Sequence, residues 1–458
     1  MNSQRNLPAR SRLASLIAAA ALASVPSLPR AATVADTATL AAPSVEEAQR
    51  LLDAASGRPE AADDLQVAWM NLAVAQYLAG DYVGAEAGFR KVIELVEASG
   101  RITSPRLARA EAGLATTYYA GKRYDLAVQH FDRAVSLSRR VEGLYHDAQL
   151  PLLEKYADAL TEVGRYDDAL KVQRYALRIV ERKHGQRSLE YANQLVAVGR
   201  WYALARAYDA SRTTLRGAIG LVEDLKGENA VELIGPLTAL ADCNRQQLLD
   251  PRDQELPAAD DQRRAMFHDP MAQVGPSLSS NTIVAEGQRS LERAVAIATS
   301  QPGVPPPKLA DVRTQLGDWY QARQQFDKAL PVYQQAWQSA SGQTVNGKPL
   351  NELLFGKPVL LYYAPPSGWD RYARRPPGEA TVLTTTVEFS VTADGRVAGP
   401  RVANDAGQPK LGAQSLKAVQ SARYRPRFDG GAPVETTGVR LEQPYYVEVE
   451  EEDAAPGP

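Results

Sequence analysis

A tyrosine recurs at an interval of 42 residues, at Tyr82, Tyr124, Tyr166 and Tyr208. Three positions after each stands a small residue (Ala85, Ala127, Ala169, Ser211), and seven after it stands Phe89, Phe131, Gln173 or Leu215. Nine before it stands another small residue: Ala73, Ala115, Ala157 or Gly199. Small residues let two helices approach closely and large ones fill the groove beside them, so a strict period of this kind calls for repeated helix pairs. Continuing the phase puts the small residue of a fifth unit at Ala241.

Each unit reads as a helix A, a tight turn and a helix B. In the first, Trp69, Leu72 and Ala73 share a face of helix A, Gly80-Asp81 makes the turn, and Tyr82, Ala85, Phe89 and Val92 line helix B. In the third, Tyr156, Ala157 and Leu160 precede Gly164-Arg165-Tyr166. From Tyr208 to Phe326 is 118 residues, of which two periods account for 84, leaving 34 in excess. Ala241 is in phase for helix A of the fifth unit and Gly287, Leu291 and Ala294 for its helix B. The excess therefore falls within residues 250–283, a proline-bearing stretch without periodicity that reads as a long surface loop. Met266, His268 and Met271 in that stretch are too few and too soft a set to hold a metal.

The pattern resembles the tetratricopeptide repeat (TPR). Trp69 matches the tryptophan early in helix A, and Leu316-Gly317, Tyr320, Phe326, Ala329, Tyr333 and Ala336 match the rest of the signature within one late repeat. The period is similar to that of the long variant found in kinesin light chains. The resemblance implies a solenoid over residues 65–340 whose concave face is lined by helix A and holds peptides. Carried onto this chain, the groove-facing positions are Tyr77, Tyr119, Glu154, Asp158, Asn193 and Arg200. Tyr77 and Tyr119 carry most of that expectation, because tyrosine joins a large apolar body to a polar tip.

After Ser341 the pattern changes. Residues 341–383 read as a link containing one short strand, Pro358 to Tyr363. Leu383, Thr385, Val387, Phe389 and Val391 then alternate as one face of a half-buried strand, and Asp394-Gly395 supplies a turn. A second strand is expected over Val397 to Val402, a helix through Leu411, Ser415, Leu416, Val419 and Ala422, and a last strand over Val434 to Val449, broken near Pro444.

This order over residues 384–449 resembles the C-terminal domain of TonB. The matching residues are Asp394-Gly395-Arg396-Val397, Asp405-Ala406-Gly407, Ala422-Arg423-Tyr424-Arg425-Pro426, Gly431-Ala432-Pro433-Val434 and Gln443-Pro444-Tyr445. Gly412 stands where that family has an aspartate, and Pro365-Pro366-Ser367-Gly368 replaces its Tyr-Pro approach segment. The resemblance implies that an edge strand receives an extended segment of a partner by strand addition. Thr436, Val439, Leu441, Tyr445 and Val447 are the expected contact residues. Residues 450–458 form an acidic tail suited to discouraging edge-to-edge association.

At the other end, Arg5, Arg10 and Arg12 precede an apolar run of 13 residues from Leu13 to Val25, short of the roughly 20 that span a bilayer as a helix. Residues 1–32 thus read as a signal peptide, with cleavage after Ala23 or near Ala32, and imply a periplasmic protein. Residues 33–64 are a linker and a capping helix that opens at Ser44 with Glu47 three positions on. Charge is nearly balanced, 54 acidic against 52 basic residues, which gives no field for nucleic acid. The single Cys243 forms no internal disulfide, and four scattered histidines make no metal site. No nucleophile elbow or phosphate-binding glycine loop is present, so neither an enzyme nor a cofactor is expected.

The fold class expected is α+β multidomain, an all-α solenoid of about six helix pairs followed by a small α+β domain. The function expected is a periplasmic, non-catalytic scaffold for protein or peptide partners, outer-membrane receptors and other envelope proteins among them. Membrane contact arises only if the N-terminus stays uncleaved. The alternative is an energy transducer for outer-membrane transport, anchored by that uncleaved N-terminus or by a partner.

Overall fold

The first helix begins where a side chain can satisfy its free amides. Ser44 Oγ accepts the Glu47 amide at 3.2 Å, and α1 runs over Val45–Ser56. This is a computed structural model, and it describes residues 43–57, 62–101, 103–250, 278–345, 347–369 and 380–448. The segment expected to be a signal peptide, the acidic tail, Met266, His268, Met271 and most of the loop expected at 250–283 lie outside the described residues. Two compact units divide the chain, with the boundary at Ser280.

In the first unit four helical hairpins follow α1. They are α2 (Ala62–Ala79) with α3 (Tyr82–Ala98), α4 (Pro105–Ala120) with α5 (Tyr124–Glu142), α6 (Leu150–Glu162) with α7 (Tyr166–His184), and α8 (Leu189–Leu204) with α9 (Tyr208–Lys226). A last helix A, α10 (Ile234–Leu249), closes the row. Each helix B starts on the period tyrosine. Two residues earlier the turn holds left-handed backbone, at Gly80, Lys122, Gly164 and Arg206. Helix A is capped at the same phase, by Ser104 on Leu107 and by Ser188 on Tyr191, each at 3.1 Å. Where that phase holds His146 or Ala230, the chain enters helix A through a 3₁₀ turn, Asp147–Gln149 or Val231–Leu233.

The phased small residues are the hinge of the packing. Ala73, Ala115, Ala157, Ala85, Ala127 and Ala169 are fully buried in one core with Phe89 and Phe131. Successive A helices touch one another, and the B helices make no contact of that extent among themselves. The A layer is therefore the tighter side of the unit. At residue 250, where the phase calls for another tyrosine, Asp250 takes extended backbone instead. Its carboxylate accepts from the Tyr208 hydroxyl at 3.0 Å and from Arg206 at 3.2 Å, so the phase ends on a buried polar knot.

The second unit opens with α11 (Ser280–Ser300), in which Gly287, Leu291 and Ala294 are buried as the phase requires. A hairpin follows, α12 (Pro306–Ala322) with α13 (Phe326–Ala340), turning on left-handed Gln324. A two-stranded ribbon, β1 (Thr344–Val345) with β2 (Lys348–Pro349), leads into α14 (Leu350–Phe355) and β3 (Val359–Tyr362). Then come β4 (Ala380–Val391), β5 (Val397–Asn404), α15 (Pro409–Val419), β6 (Arg423–Arg425), β7 (Arg427–Asp429), β8 (Ala432–Val434) and β9 (Thr436–Glu448). β5, β4 and β9 form one antiparallel sheet in that order, β3 pairs with β6, and β7 with β8.

Val387, Phe389 and Val391 of β4 pack with Val419, Ala422, Tyr424 and Leu441 under α15, as the alternation predicts. Three boundaries differ from the sequence reading. β5 runs on to Asn404 because a register shift absorbs Gly399-Pro400. β9 is unbroken at Pro444, which pairs opposite Thr384. The short strand of the 341–383 link is part of the fold, since Val359 and Leu360 pair with Arg425 and Tyr424.

Candidate functional site

Two surfaces correspond to the expected partner sites, one in each unit. On the A layer, Tyr77 lies on α2, Tyr119 on α4, Glu154 and Asp158 on α6, and Asn193 and Arg200 on α8. Tyr77 and Tyr119 are half-buried at the A–B joints, where their rings pack on the period tyrosines Tyr82 and Tyr124 at 5.9 and 5.4 Å. Burial, with Tyr82 beside it, pushes the Tyr77 hydroxyl above its ordinary pKa. The Lys155 ammonium sits 5.6 Å from the Tyr119 ring. Asn193 is exposed, and Glu154, Asp158 and Arg200 are partly so.

Asp158, Arg200 and Asp242 occupy one phase on three successive A helices, so charge alternates along this layer. Burial raises the Asp242 carboxyl, yet Arg245, Gln246 and Arg200 together hold it below the usual carboxylate range. Glu162 behaves oppositely: burial raises it, and Arg206 and Lys122 do not offset the effect. The layer can thus offer a peptide half-buried tyrosines, a lysine and alternating charge.

The second surface is the sheet edge. β9 is the end strand of its sheet, and among the described residues no further strand pairs with it. Side chains alternate along it, with Leu441 and Tyr445 only 8% and 3% exposed and turned into the core. Val439 and Val447 are partly buried, and so is Thr436 at the start. What these five residues can show a partner is limited accordingly. The Tyr445 hydroxyl bonds Ser415 Oγ at 2.8 Å and the Leu411 carbonyl at 3.1 Å, which fixes β9 under α15.

The even-numbered residues carry the outward backbone. The Tyr446 amide donates away from β4 to the Trp369 carbonyl at 3.0 Å, and alternation along an antiparallel strand then turns Pro444, Glu442 and Arg440 the same way. Proline at 444 removes a donor that β4 never used, which is why β9 tolerates it. Of the contact residues expected from the sequence, Val439, Leu441, Tyr445 and Val447 share the odd parity, whose backbone groups face β4.

A third feature lay outside the sequence reading. Arg425 of β6 donates through Nε and Nη2 to both oxygens of Asp318 on α12, at 2.8 and 2.7 Å, and through Nη1 to the Leu354 carbonyl at 2.6 Å. The Tyr333 hydroxyl donates to the same carboxylate at 2.8 Å. Burial opposes the Arg425 charge, but Asp318 and Tyr333 more than restore it and raise its pKa. Around this knot Trp337 stacks on Phe428, and Phe355 lies tilted against Phe428 with centroids at 4.9 Å. Gln321 Nε2 also donates to the Asp394 carbonyl at 2.7 Å, at the turn beside Gly395. α12 is consequently buried all round, from Leu316 through Gln321. The legible sign was Asp318 itself, a charge inside an apolar run.

Residues 64–140 and 313–341 match the family described as tetratricopeptide repeat. Residues 383–442 match the C-terminal domain of the Gram-negative bacterial TonB protein. No catalytic family is among these matches, and no curated protein matches the chain. Among solved structures, one match is to nearly identical TPR-like repeats from a Podosopora anserina protein named for the kinesin light chain. It is 14% identical, covers 40% of this chain and 88% of that one, and has a TM-score of 0.37. Another is BtubC (BKLC) from P. vanneervenii, 16% identical over 66% of this chain and 92% of that one, with a TM-score of 0.33.

Proposed function

The chain carries tetratricopeptide repeats and a Gram-negative TonB C-terminal domain at residues 383–442, and from that premise we propose that it is a non-catalytic periplasmic scaffold with two ways of holding other chains. The A layer takes a peptide along Tyr77, Tyr119, Glu154, Asp158, Asn193 and Arg200. The outer edge of β9 takes an extended segment of an envelope protein by strand addition. Thr436, Val439, Leu441, Tyr445 and Val447 support that edge from the core side, and the outward groups of Arg440 and Glu442 pair with the incoming strand.

The observation that carries the reading is the backbone parity of β9, an end strand whose outward groups at 440 and 442 have no strand beside them among the described residues. A single substitution tests it. Glu442→Pro removes one outward amide and leaves the β4 ladder intact, as Pro444 already does two residues on. Titrating the full chain with extended peptides from outer-membrane receptors should shift the Arg440 and Glu442 amide resonances, and Glu442→Pro should weaken capture at least tenfold with an unchanged melting temperature. Equal capture by the variant would remove strand addition from the account.

The periplasmic assignment rests on the export-like N-terminus, and no helix among the described residues is long and apolar enough to cross a membrane. N-terminal sequencing of fractionated cells is the check. A chain starting after Ala23 or Ala32 in the soluble envelope fraction supports the scaffold, whereas an intact Met1 in the membrane fraction favours the anchored transducer.

A further inference from the structure

The 42-residue period shows where two side chains are missing from the first unit. Seven positions after the period tyrosine stand Phe89 and Phe131, each buried against helix A of the next repeat. A Cβ added to Gly113 of α4 would meet the Phe89 ring at 2.4 Å, and Phe131 lies 6.2 Å from Tyr156 of α6. In the third repeat this position is Gln173, which is shorter and polar. Nine positions after the period tyrosine stands Arg133, which reaches back to Glu97 and Glu111. In the third repeat Tyr175 does the same, donating to Gln149 Oε1 at 3.0 Å. In the fourth it is Gly217, and an added Cβ there would meet nothing within 4 Å.

Both omissions open one space. Between α7, α8 and α9 lies a cavity of about 160 Å³, walled by Gln173, Leu177, Leu195, Val198, Tyr202 and Thr214. Gln173 is 2% exposed, and its Nε2 finds no acceptor among the described residues. An apolar cavity of about 150 Å³ holds a benzene ring, and a buried amide donor without a partner favours any occupant that brings an acceptor.

We propose that this cavity binds a small molecule with a single aromatic ring and one carbonyl-type acceptor, the ring standing in for the absent phenylalanine and the oxygen accepting from Gln173 Nε2. Arrival of such a ligand would complete the joint between the third and fourth repeats as Phe131 completes the one before. The site is walled by α7, α9 and the side of α8 that bears Leu195, Val198 and Tyr202, and uses neither Asn193 nor Arg200 of that helix.

Acetophenone and α-methylstyrene are near-isosteres that differ in the carbonyl, and they serve as probes on the full chain, followed by calorimetry and amide shifts. Both should bind saturably in the wild type. Gln173→Leu should lower the acetophenone to α-methylstyrene affinity ratio by about three- to tenfold, the worth of one hydrogen bond. Gln173→Phe, which installs the residue found at this phase in the first two repeats, should abolish binding of both and raise the melting temperature. Should that variant fail to fold, Gly217→Tyr closes the same space from outside and carries the same loss of binding. Absence of saturable binding in the millimolar range, binding that survives the filled variants, or an affinity ratio unmoved in Gln173→Leu would each overturn the proposal.

Discussion

Lys122 and Gln324 hold backbone in the left-handed region, at φ of 59° and 62°, where the equivalent turns use Gly80 and Gly164. A side chain there costs roughly 1–2 kcal/mol, part of which glycine gives back through its freer unfolded chain. Lys122→Gly and Gln324→Gly should therefore each raise stability by about 0.5–1 kcal/mol, read as a higher denaturant midpoint with an unchanged slope. At Glu86 the same scale links one repeat to the next. Its carboxylate accepts from the Tyr118 hydroxyl at 3.0 Å and from Arg123 at 2.5 Å. Burial raises its pKa, but Arg123, Tyr118 and Arg90 outweigh burial and leave it lowered. A lowered folded value means the contribution is complete above the unfolded carboxyl pKa of about 4.3 and fades as pH falls through the folded one. Glu86→Gln should cost about 1 kcal/mol at pH 7, and denaturation curves of the two proteins should converge below pH 4. Tyr82, Phe89 and Ala73 were legible from the period alone, because each repeats with its surroundings. Asp318–Arg425 was not, since 107 residues separate its partners and the pair occurs once.

An element inherits its strength from what covers it. The stretch of α12 from Leu316 to Gln321 is clothed on every side, and its one charge, Asp318, is matched by Arg425 in a bidentate pair with Tyr333 as a third partner. Removing one member strands the other in the interior, so Arg425→Met should destabilise the second unit by about 3–5 kcal/mol. Adding Asp318→Leu should return much of that loss, and a double-mutant cycle on thermal melts measures it. The strands show why sequence pattern reads faces better than ends. β4 was legible because one of its faces is buried from Thr385 to Val391. The continuity of β9 through Pro444 was not, because proline breaks even an edge strand unless its missing donor falls on the outward parity, which the sequence pattern does not show.

At the scale of the whole chain, the second unit is the surprise. The TonB-like match covers residues 383–442, yet β3, α14 and the last repeat belong to the same compact unit. A fragment beginning at Ser280 should keep dispersed amide resonances for β4 and β9, and one beginning at Leu350 should lose them, because Trp337, Tyr333, Asp318 and Gln321 go with the removed helices. Dispersed spectra from the shorter fragment would show that the sheet needs no helical support. From the sequence by itself came the helix pairs, their phase, the point where that phase breaks and the succession β4, β5, α15, β9, all of which are set by local periodicity and by nearest-neighbour packing, whereas the short strands β6, β7 and β8 were not legible there. Only the tertiary structure decided which side of β9 faces outward, that the last hairpin is fused to the sheet, and that the joint beneath Gln173 is hollow. Those depend on which residues from distant positions meet in space, and burial, pairing and empty volume are properties of that meeting.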